Sequence, residues 1–352
     1  MSFSKEKRER IISYLLEKIE ADDTDALKKV SENFEITMTS VRRYMYMLQK
    51  EKVVKKDEKK KCGYILVSKT EKLQFENVNL DESNLYFQEI EPRLPDMSEE
   101  ARRVWAYVFT EICNNAIEHS QGSEIQVEIR TDALNTEIVI QDDGVGIFRH
   151  VAQALAKDYG YPVEARQAVI ELFKGKYTTN KELHSGEGIF FSSKLADCFL
   201  IQSDGCLFRE CLGDNEIVVS HLLSYYHKLS KIGTRVIMRV SNQTKASTKE
   251  LFEHYCDDDF HFCKSRIPVR EINPMAFPVS RSEARRMLNR MEQFTDITLD
   301  FKDVEEMGQG FAHEVFIVFH KLHPDIKLHV ENASPMVQRM IQHVKRNSAD
   351  IS

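Results

Sequence analysis

The chain has 352 residues, 42% hydrophobic and 30% charged, with a formal net charge of −7. This length exceeds what one hydrophobic core usually supports, so we expect two or three domains. No segment approaches the roughly 18 to 20 consecutive apolar residues of a membrane span, and the charged start is unlike a signal peptide, so a cytoplasmic protein is expected. Seven scattered cysteines, an odd number in a long chain, predict reduced thiols rather than a disulfide framework.

Residues 1–68 are predicted to form three helices followed by a β-hairpin. Ile11 and Leu15 recur at helical spacing in the first helix. Val30 belongs to a short second helix, and Val41 and Leu48 give the third helix its apolar face. The third helix and the hairpin are strongly basic, because residues 42–61 contain nine basic side chains and three acidic ones.

The sequence of the third helix, ITMTSVRRYMYMLQKEKVV, resembles a winged helix-turn-helix domain. In such domains the third helix lies in the major groove and the wing touches phosphates. The resemblance therefore implies DNA binding, and Lys and Arg side chains suit that role because they neutralise phosphate charge. The candidate DNA contacts are Arg42, Arg43, Lys50, Lys55, Lys59 and Lys60. A solvated helical face or a protein-docking surface stays open as the alternative.

Two stretches are predicted to connect domains. Residues 69–98 are acidic and contain two prolines, which is typical of a linker. Residues 243–269 are taken as a second connector, placed between the central and the C-terminal domains.

The central region opens with a helix that has two distinct faces. Trp105 and Phe109 belong to its apolar stripe. Glu111, Asn115 and His119 are four residues apart and therefore share another face. A carboxylate, a carboxamide and an imidazole aligned beside a packed stripe form a site able to hold a hydrated metal ion.

Two predicted strands follow this helix, and the second of them ends in Asp142. Its carboxylate can accept a hydrogen bond from an exocyclic amine. Glycines after the strand allow the backbone to approach a ligand closely, and a glycine-bearing turn that opens a helix can cradle phosphate. The glycines in these two places are Gly144, Gly146, Gly186 and Gly188.

The segments TEICNNAIEH, QDDGVGI, SGEGIFFSSKLAD and Gly233-Thr234 resemble, in this order, the N, G1, G2 and final Gly-Thr motifs of the GHKL ATPase superfamily. The resemblance covers residues 99–242 and implies an α/β sandwich that binds ATP and Mg²⁺. It implies that Asn115 coordinates the magnesium ion and that Asp142 contacts the adenine amino group with the support of Thr234.

The same resemblance assigns the glycines and a candidate catalytic group. Gly144 and Gly146 would shape the adenine pocket, while Gly186 and Gly188 would meet the phosphates. Glu111 lies where hydrolysing members, and the anti-sigma-factor serine kinases, carry a general base. Binding of ATP without turnover stays open as the alternative.

The stretch 148–184 is expected to be a mobile lid over the nucleotide, with Lys176 or Lys181 reaching the γ-phosphate. No histidine precedes residue 100. This argues against the phosphoaccepting helix of a sensor kinase.

Residues 270–347 are predicted to alternate helices and strands, which implies a small sheet covered by helices. The segment LDFKDVEEMGQGFAHEVFIVF resembles a STAS-like domain of unknown function that accompanies GHKL ATPase domains. Anti-sigma-factor antagonists carry a phosphorylated serine at the turn that corresponds to residues 305–310. This chain has no hydroxyl group there, so a protein-docking role is favoured over phosphorylation, with a structural cap as the alternative.

The preferred interpretation is a prokaryotic regulatory ATPase with a DNA-binding head, an ATP-sensing middle and a protein-docking tail. Two alternatives stay open, namely a serine/threonine protein kinase of the anti-sigma type and an ATP-dependent interaction scaffold. A homodimer is also left open.

Overall fold

The computed structural model describes residues 3–176, 186–211, 214–221, 233–259, 261–272 and 277–349. Within these ranges the chain forms an N-terminal, a central and a C-terminal unit, each built around a cluster of buried apolar residues. The described residues contain no helix with the length and hydropathy needed to cross a membrane.

The N-terminal unit follows the predicted order of three helices and a hairpin. Its elements are α1 (Lys5–Glu20), α2 (Ala26–Asn33), α3 (Met38–Lys50), β1 (Val54–Lys56) and β2 (Tyr64–Leu66). Helix α1, helix α3 and the hairpin share one core, to which they contribute Ile11, Val41 and Leu66. Thr37 caps α3 because its hydroxyl oxygen accepts a hydrogen bond from the Ser40 N–H.

The segment predicted as a linker, 69–98, is instead part of the central unit. Strand β3 (Lys69–Glu76) pairs antiparallel with β4 (Glu124–Thr131) along its whole length. The helical turns that follow α4 (Glu82–Leu85) place Tyr86 and Ile90 in the central core. This corrects the predicted domain boundary.

The physical reason for this error lies in the alternation of β3. The exposed Lys72, Gln74 and Glu76 alternate with Leu73 and Phe75, which pack against the central core. An acidic composition therefore conceals a strand with one apolar face.

The central unit is a seven-stranded sheet in the order β3-β4-β5-β9-β6-β7-β8, with every neighbouring pair antiparallel. Its remaining strands are β5 (Asn135–Asp142), β6 (Cys198–Ser203), β7 (Cys206–Cys211), β8 (Asp214–His221) and β9 (Thr234–Ser241). Buried and half-buried residues alternate along β9, as expected of a sheet with one face on the core.

Four helices accompany this sheet: α5 (Glu99–His119), α6 (Ile147–Tyr159), α7 (Ala165–Lys174) and α8 (Gly188–Leu195). Helix α5 begins where expected, because the Ser98 hydroxyl accepts from the Ala101 N–H. The predicted lid, residues 148–184, contains α6 and α7, where Phe148 and Val169 are fully buried in the core, and its mobility stays a prediction. Residues 177–185, which include Lys181, lie outside the described residues.

Two cysteines correct the prediction that all thiols are reduced. Cys198 and Cys211 lie directly opposite each other on the antiparallel pair of β6 and β7, with Cα atoms 4.0 Å apart. Their sulfur atoms form a disulfide. The pairing depends on strand register, which the spacing of cysteines in the sequence does not give.

The C-terminal unit contains a three-stranded parallel sheet in the order β10-β11-β12. Its elements are β10 (Lys264–Pro268), α10 (Arg281–Leu288), β11 (Asp296–Asp300), α11 (Gln309–His313), α12 (His320–Leu322), β12 (Lys327–Glu331) and α13 (Pro335–Ala349). The predicted alternation of helices and strands is confirmed after residue 280. The predicted connector, 243–269, is wrong, because it contains α9 (Thr248–Tyr255) and the strand β10 of this sheet.

The units contact one another through specific side chains. Phe190 and Phe191 of α8 belong to the C-terminal core although α8 lies in the central chain segment. The Phe190 and Phe262 ring centroids are 4.6 Å apart. At the other end, the Glu20 carboxylate of α1 pairs with Arg239 of β9.

Removal of residues 1–98 should destabilise the central unit, whereas removal of residues 1–68 should leave it folded. The longer deletion removes β3 and the buried Tyr86, and loss of one large buried side chain alone costs about 3–5 kcal/mol. Urea unfolding of the two truncated chains, followed by circular dichroism, measures the difference. Equal unfolding midpoints would contradict the assignment of residues 69–98 to the core.

Candidate functional site

A pocket of about 290 Å³ opens between the helices and the sheet of the central unit, near the lower end of the usual volume range of ligand sites. Side chains or backbone from α5, β5, α6, α7, α8, β6 and β9 line it. It contains most of the nucleotide-site residues that the sequence predicted: Glu111, Asn115, Asp142, Gly146, Gly186, Gly188 and Thr234.

The polar face of α5 forms one wall of this pocket. Trp105 and Phe109 turn the opposite face into the core, where both are fully buried. Because α5 is fixed in rotation by that packing, Glu111, Asn115 and His119 are presented to the cavity. The two-faced helix predicted from the sequence is therefore confirmed.

Asp142 lies at the end of β5 and is almost fully buried. Its Oδ1 accepts hydrogen bonds from the backbone N–H groups of Gly144, at 2.9 Å, and Thr234, at 3.1 Å. Burial raises the pKa of this carboxyl group above its ordinary value, while the two N–H donors act in the opposite direction. The backbone bonds fix one oxygen and leave Oδ2 as an acceptor for a ligand amine.

The neighbouring Asp143 has a structural role. Its Oδ1 accepts from the backbone N–H groups of Ser123 and Glu124, and its Oδ2 accepts from the Ser123 hydroxyl. These bonds lower the pKa of Asp143 and hold the turn before β4. Two adjacent carboxylates are thus divided between a pocket position and a structural position.

Two glycines after β5 are required by close contacts. A Cβ atom on Gly144 would lie 2.0 Å from the Ser120 carbonyl oxygen, at the end of α5. Gly146 has a φ of +85°, and a Cβ there would meet the Asp204 carboxylate at 2.6 Å. Gly144 is not among the residues that line the cavity, so its contribution is to let the turn pack against α5.

The first residue of β9, Thr234, forms hydrogen bonds that stabilise the turn after β5. The Thr234 hydroxyl oxygen accepts from the Ile147 N–H at 3.0 Å. Gly233 passes so close that a Cβ would lie 2.2 Å from Asp142 Oδ1. Thr234 therefore supports Asp142 directly, through its backbone N–H group.

The second glycine turn meets Glu111. A Cβ on Gly188 would lie 2.0 Å from Glu111 Oε2, so the carboxylate packs against the first residue of α8. Tyr107, one turn before Glu111, has its pKa raised by burial and by the charges of Glu111 and Glu187. The sequence analysis did not single out Tyr107.

Sequence reasoning also missed His150 and Leu172, both of which line the pocket. His150 is four residues after Gly146, on the helix that the glycine turn opens. Helical periodicity could have found it, had α6 been predicted as a helix instead of a lid.

Lys176 was predicted as a residue that could reach the γ-phosphate, but its side chain does not point into the pocket. Its Nζ donates to the Gln293 carbonyl oxygen of the C-terminal unit at 2.9 Å and lies 4.9 Å from the centre of the Phe294 ring. Burial lowers the pKa of Lys176. In this structure the lysine joins two units and does not line the pocket.

The basic residues of the N-terminal unit all lie at its surface. Arg42, Tyr46 and Lys50 are four apart on α3, and Tyr46 is 69% exposed. In the part of the chain that the structure describes, the six candidate DNA contacts form no ion pair. All six are exposed: Arg42, Arg43, Lys50, Lys55, Lys59 and Lys60.

Comparison with known families identifies two of the three units. Residues 101–244 match the family described as histidine kinase-, DNA gyrase B-, and HSP90-like ATPase, and residues 283–338 match a STAS-like domain of unknown function. The chain therefore carries a GHKL ATPase domain and a C-terminal STAS-like domain, which confirms both resemblances. The winged helix-turn-helix stays a prediction. No curated protein and no solved structure matches the chain.

Asp142→Asn should weaken ATP binding about 10- to 100-fold, because a hydrogen bond from the adenine amine to a carboxylate contributes about 1.5–3 kcal/mol. The amide oxygen can still accept from Gly144 and Thr234, so the turn is retained. Asp143→Asn is the matched control, since Asp143 holds a turn outside the pocket. Calorimetric titration of ATP measures both, and equal affinities would contradict the assignment of Asp142 to the base.

Proposed function

We propose that this protein is an ATP-binding prokaryotic regulator in which Mg-ATP occupancy, or slow hydrolysis, controls the binding of DNA or of a protein partner. The observation that carries the proposal is the convergence of Asp142, Asn115 and the Gly186–Gly188 turn on one cavity within a GHKL ATPase domain. A cytoplasmic location remains part of this proposal.

The nucleotide has a natural orientation in the cavity. Asp142 would receive the adenine amine at Oδ2, and the turn that contains Gly146 would pass beside the base. The phosphates would meet Gly186, Gly188 and the first turn of α8. Free backbone N–H groups at a helix N-terminus favour anions, which supports this direction.

Magnesium fits the residues at the phosphate end. Asn115 supplies a carboxamide oxygen from the face of α5 that lines the cavity. The described residues contain no group of three His, Cys, Asp or Glu side chains that could hold a metal alone. This agrees with an ion held largely by phosphate oxygens and water, where it would offset their charge.

Glu111 is the candidate general base. Its carboxylate lies against the start of α8, beside the proposed position of the γ-phosphate. It would orient a water molecule or a substrate hydroxyl and accept its proton.

The contacts of α7 and α8 with the C-terminal unit support a regulatory role. Lys174 Nζ donates to the carbonyl oxygens of Arg286 and Asn289, each at 3.3 Å, and the Ser265 hydroxyl donates to the Lys174 carbonyl oxygen at 2.8 Å. These bonds lie immediately before residues 177–185. If nucleotide binding repositions α7 or α8, the free energy of docking between the central and C-terminal units changes.

Asn115→Ala should reduce Mg-ATP affinity at least about tenfold, because the proposed magnesium ligand is lost. Glu111→Gln should retain most of the affinity and lower the phosphate-release rate about 100-fold or more, within the usual contribution of a general base. Calorimetry and phosphate release on the same samples separate the two effects.

The same pair of assays distinguishes an enzyme from a sensor. Binding without release identifies a sensor, and failure of the folded wild-type protein to bind ATP would contradict the proposal. The serine/threonine kinase alternative predicts transfer of phosphate to a separate protein. The turn of this chain's own STAS-like unit, residues 305–310, is a poor acceptor because it lacks a hydroxyl group.

DNA binding by the N-terminal unit is the second part of the proposal. The exposed cations lie on the third helix and on the hairpin, which are the elements that contact the groove and the phosphates in a winged helix-turn-helix, and this supports contacts to phosphate. The net negative charge of the whole chain does not oppose this, because exposed charges are screened within about 10 Å at ordinary salt.

Replacement of both Arg42 and Arg43 by alanine should weaken DNA binding at every sequence tested. Each lost phosphate contact should lower the slope of log affinity against log salt by about 1, so the expected change is about 2. Fluorescence anisotropy with and without Mg-ATP measures affinity and nucleotide dependence together. The matched control replaces the exposed Lys245 and Lys249 of the central segment. An unchanged slope, or no salt dependence in the wild type, favours the scaffold alternative.

A further inference from the structure

Strand β12 (Lys327–Glu331) ends the parallel sheet of the C-terminal unit. The Lys327 N–H donates to the Thr295 carbonyl oxygen, and the Glu331 carbonyl oxygen accepts from the Phe301 N–H. In a parallel ladder alternate residues bond to the same neighbour. The backbone groups of Lys327, His329 and Glu331 therefore face β11, and those of Leu328 and Val330 face the other way.

The outer edge of β12 is accessible. In the described ranges, no strand pairs with that edge. Four of the five residues of β12 are exposed, and Val330 is 38% exposed although it is aliphatic. A row of N–H and C=O groups with an exposed aliphatic side chain is a template for a further strand.

The sequence of β12, KLHVE, is complementary to itself when it is reversed. If a second copy of the strand runs antiparallel to the first, with His329 opposite His329, Lys327 lies opposite Glu331 of the second copy and Leu328 opposite Val330. Cross-strand pairs of opposite charge and of aliphatic residues both stabilise a sheet.

The backbone agrees with this register. The residues that must exchange hydrogen bonds across such an edge are Leu328 and Val330, which are the two whose N–H and C=O groups face outward. A two-fold axis through His329 would generate two pairs of such bonds, four in total, and a continuous six-stranded sheet.

We propose that the outer edge of β12 is a homodimer interface, occupied by β12 of a second copy of this chain. The interface is isologous, as expected of a two-fold dimer, and uses strand addition. Charge on an edge strand commonly prevents such pairing. Charge prevents pairing when all charged residues of the edge strand have the same sign. Here Lys327 and Glu331 have opposite charges at the two ends of the strand, so they attract each other in the two-fold register.

Both charged residues also have partners within their own chain. Glu331 pairs with Arg266 at 2.7 Å, and Lys327 lies 4.0 Å from Asp296. A single substitution removes one of these pairs as well, so the experiment must separate loss of an internal ion pair from loss of the dimer.

The test is sedimentation velocity of the full chain, alone and as a mixture of two charge variants. Lys327→Glu gives a strand with two acidic ends and Glu331→Lys a strand with two basic ends. Each variant alone should dimerise at least tenfold more weakly than the wild type. Mixed in equal amounts they should form a heterodimer, because every opposed pair is again of opposite sign while each subunit still lacks one of its internal ion pairs.

Val330→Pro tests the backbone contribution. Proline removes an N–H that faces outward, so the ladder with β11 is kept, and edge strands tolerate proline in this position. The variant should be monomeric, with a circular dichroism spectrum and ATP affinity equal to those of the wild type.

Three results would overturn the proposal. These are a wild type that stays monomeric up to about 100 µM, a wild-type dimer that the charge and proline variants leave intact, and charge variants that do not recombine when mixed. The dimer does not depend on the proposed function. One consequence does rest on it: a dimer carries two basic N-terminal units, which suits a DNA site of two half-sites.

Discussion

The position of α8 is the constraint on which the nucleotide site and the C-terminal unit both depend. Its first residue, Gly188, packs so closely against Glu111 that a Cβ would lie 2.0 Å from the carboxylate. Two residues later, Phe190 and Phe191 enter the core of the C-terminal unit. Because packed cores resist small displacements, any movement of α8 would also displace side chains packed in the C-terminal unit. A direct physical route therefore joins the pocket to the STAS-like domain.

The pocket itself depends on backbone segments that pass one another at very short range. Gly144 lies against the end of α5, and Gly233 lies against Asp142, with a hypothetical Cβ 2.0 and 2.2 Å from the nearest atom. Any side chain at either position would push the turn after β5 away from its neighbours. Asp142 would then lose the N–H donors that fix one carboxylate oxygen. These two glycines, which are not among the residues that line the cavity, thus serve the placement of Asp142.

The second contact between the units lies at the end of α7. Gly175 has a φ of +85°, and a Cβ there would lie 2.2 Å from Phe262. Lys174 and Lys176, on either side, both bond to carbonyl oxygens of the C-terminal unit. The chain therefore enters residues 177–185 from a point held by the STAS-like domain, not by the ATPase core alone. This arrangement supports regulation through the docking of units rather than through the pocket alone.

Local physics made part of the structure predictable from the sequence. The two faces of α5 and the glycine turns depend on residues within a few positions of one another, and the motifs predicted that Glu111, Asn115 and Asp142 share one pocket. Tertiary structure decided the rest. The partner strand of β3 and the direction of Lys176 depend on segments far apart in the chain. Strand register and packing between distant segments select such contacts, and no local window of sequence contains them.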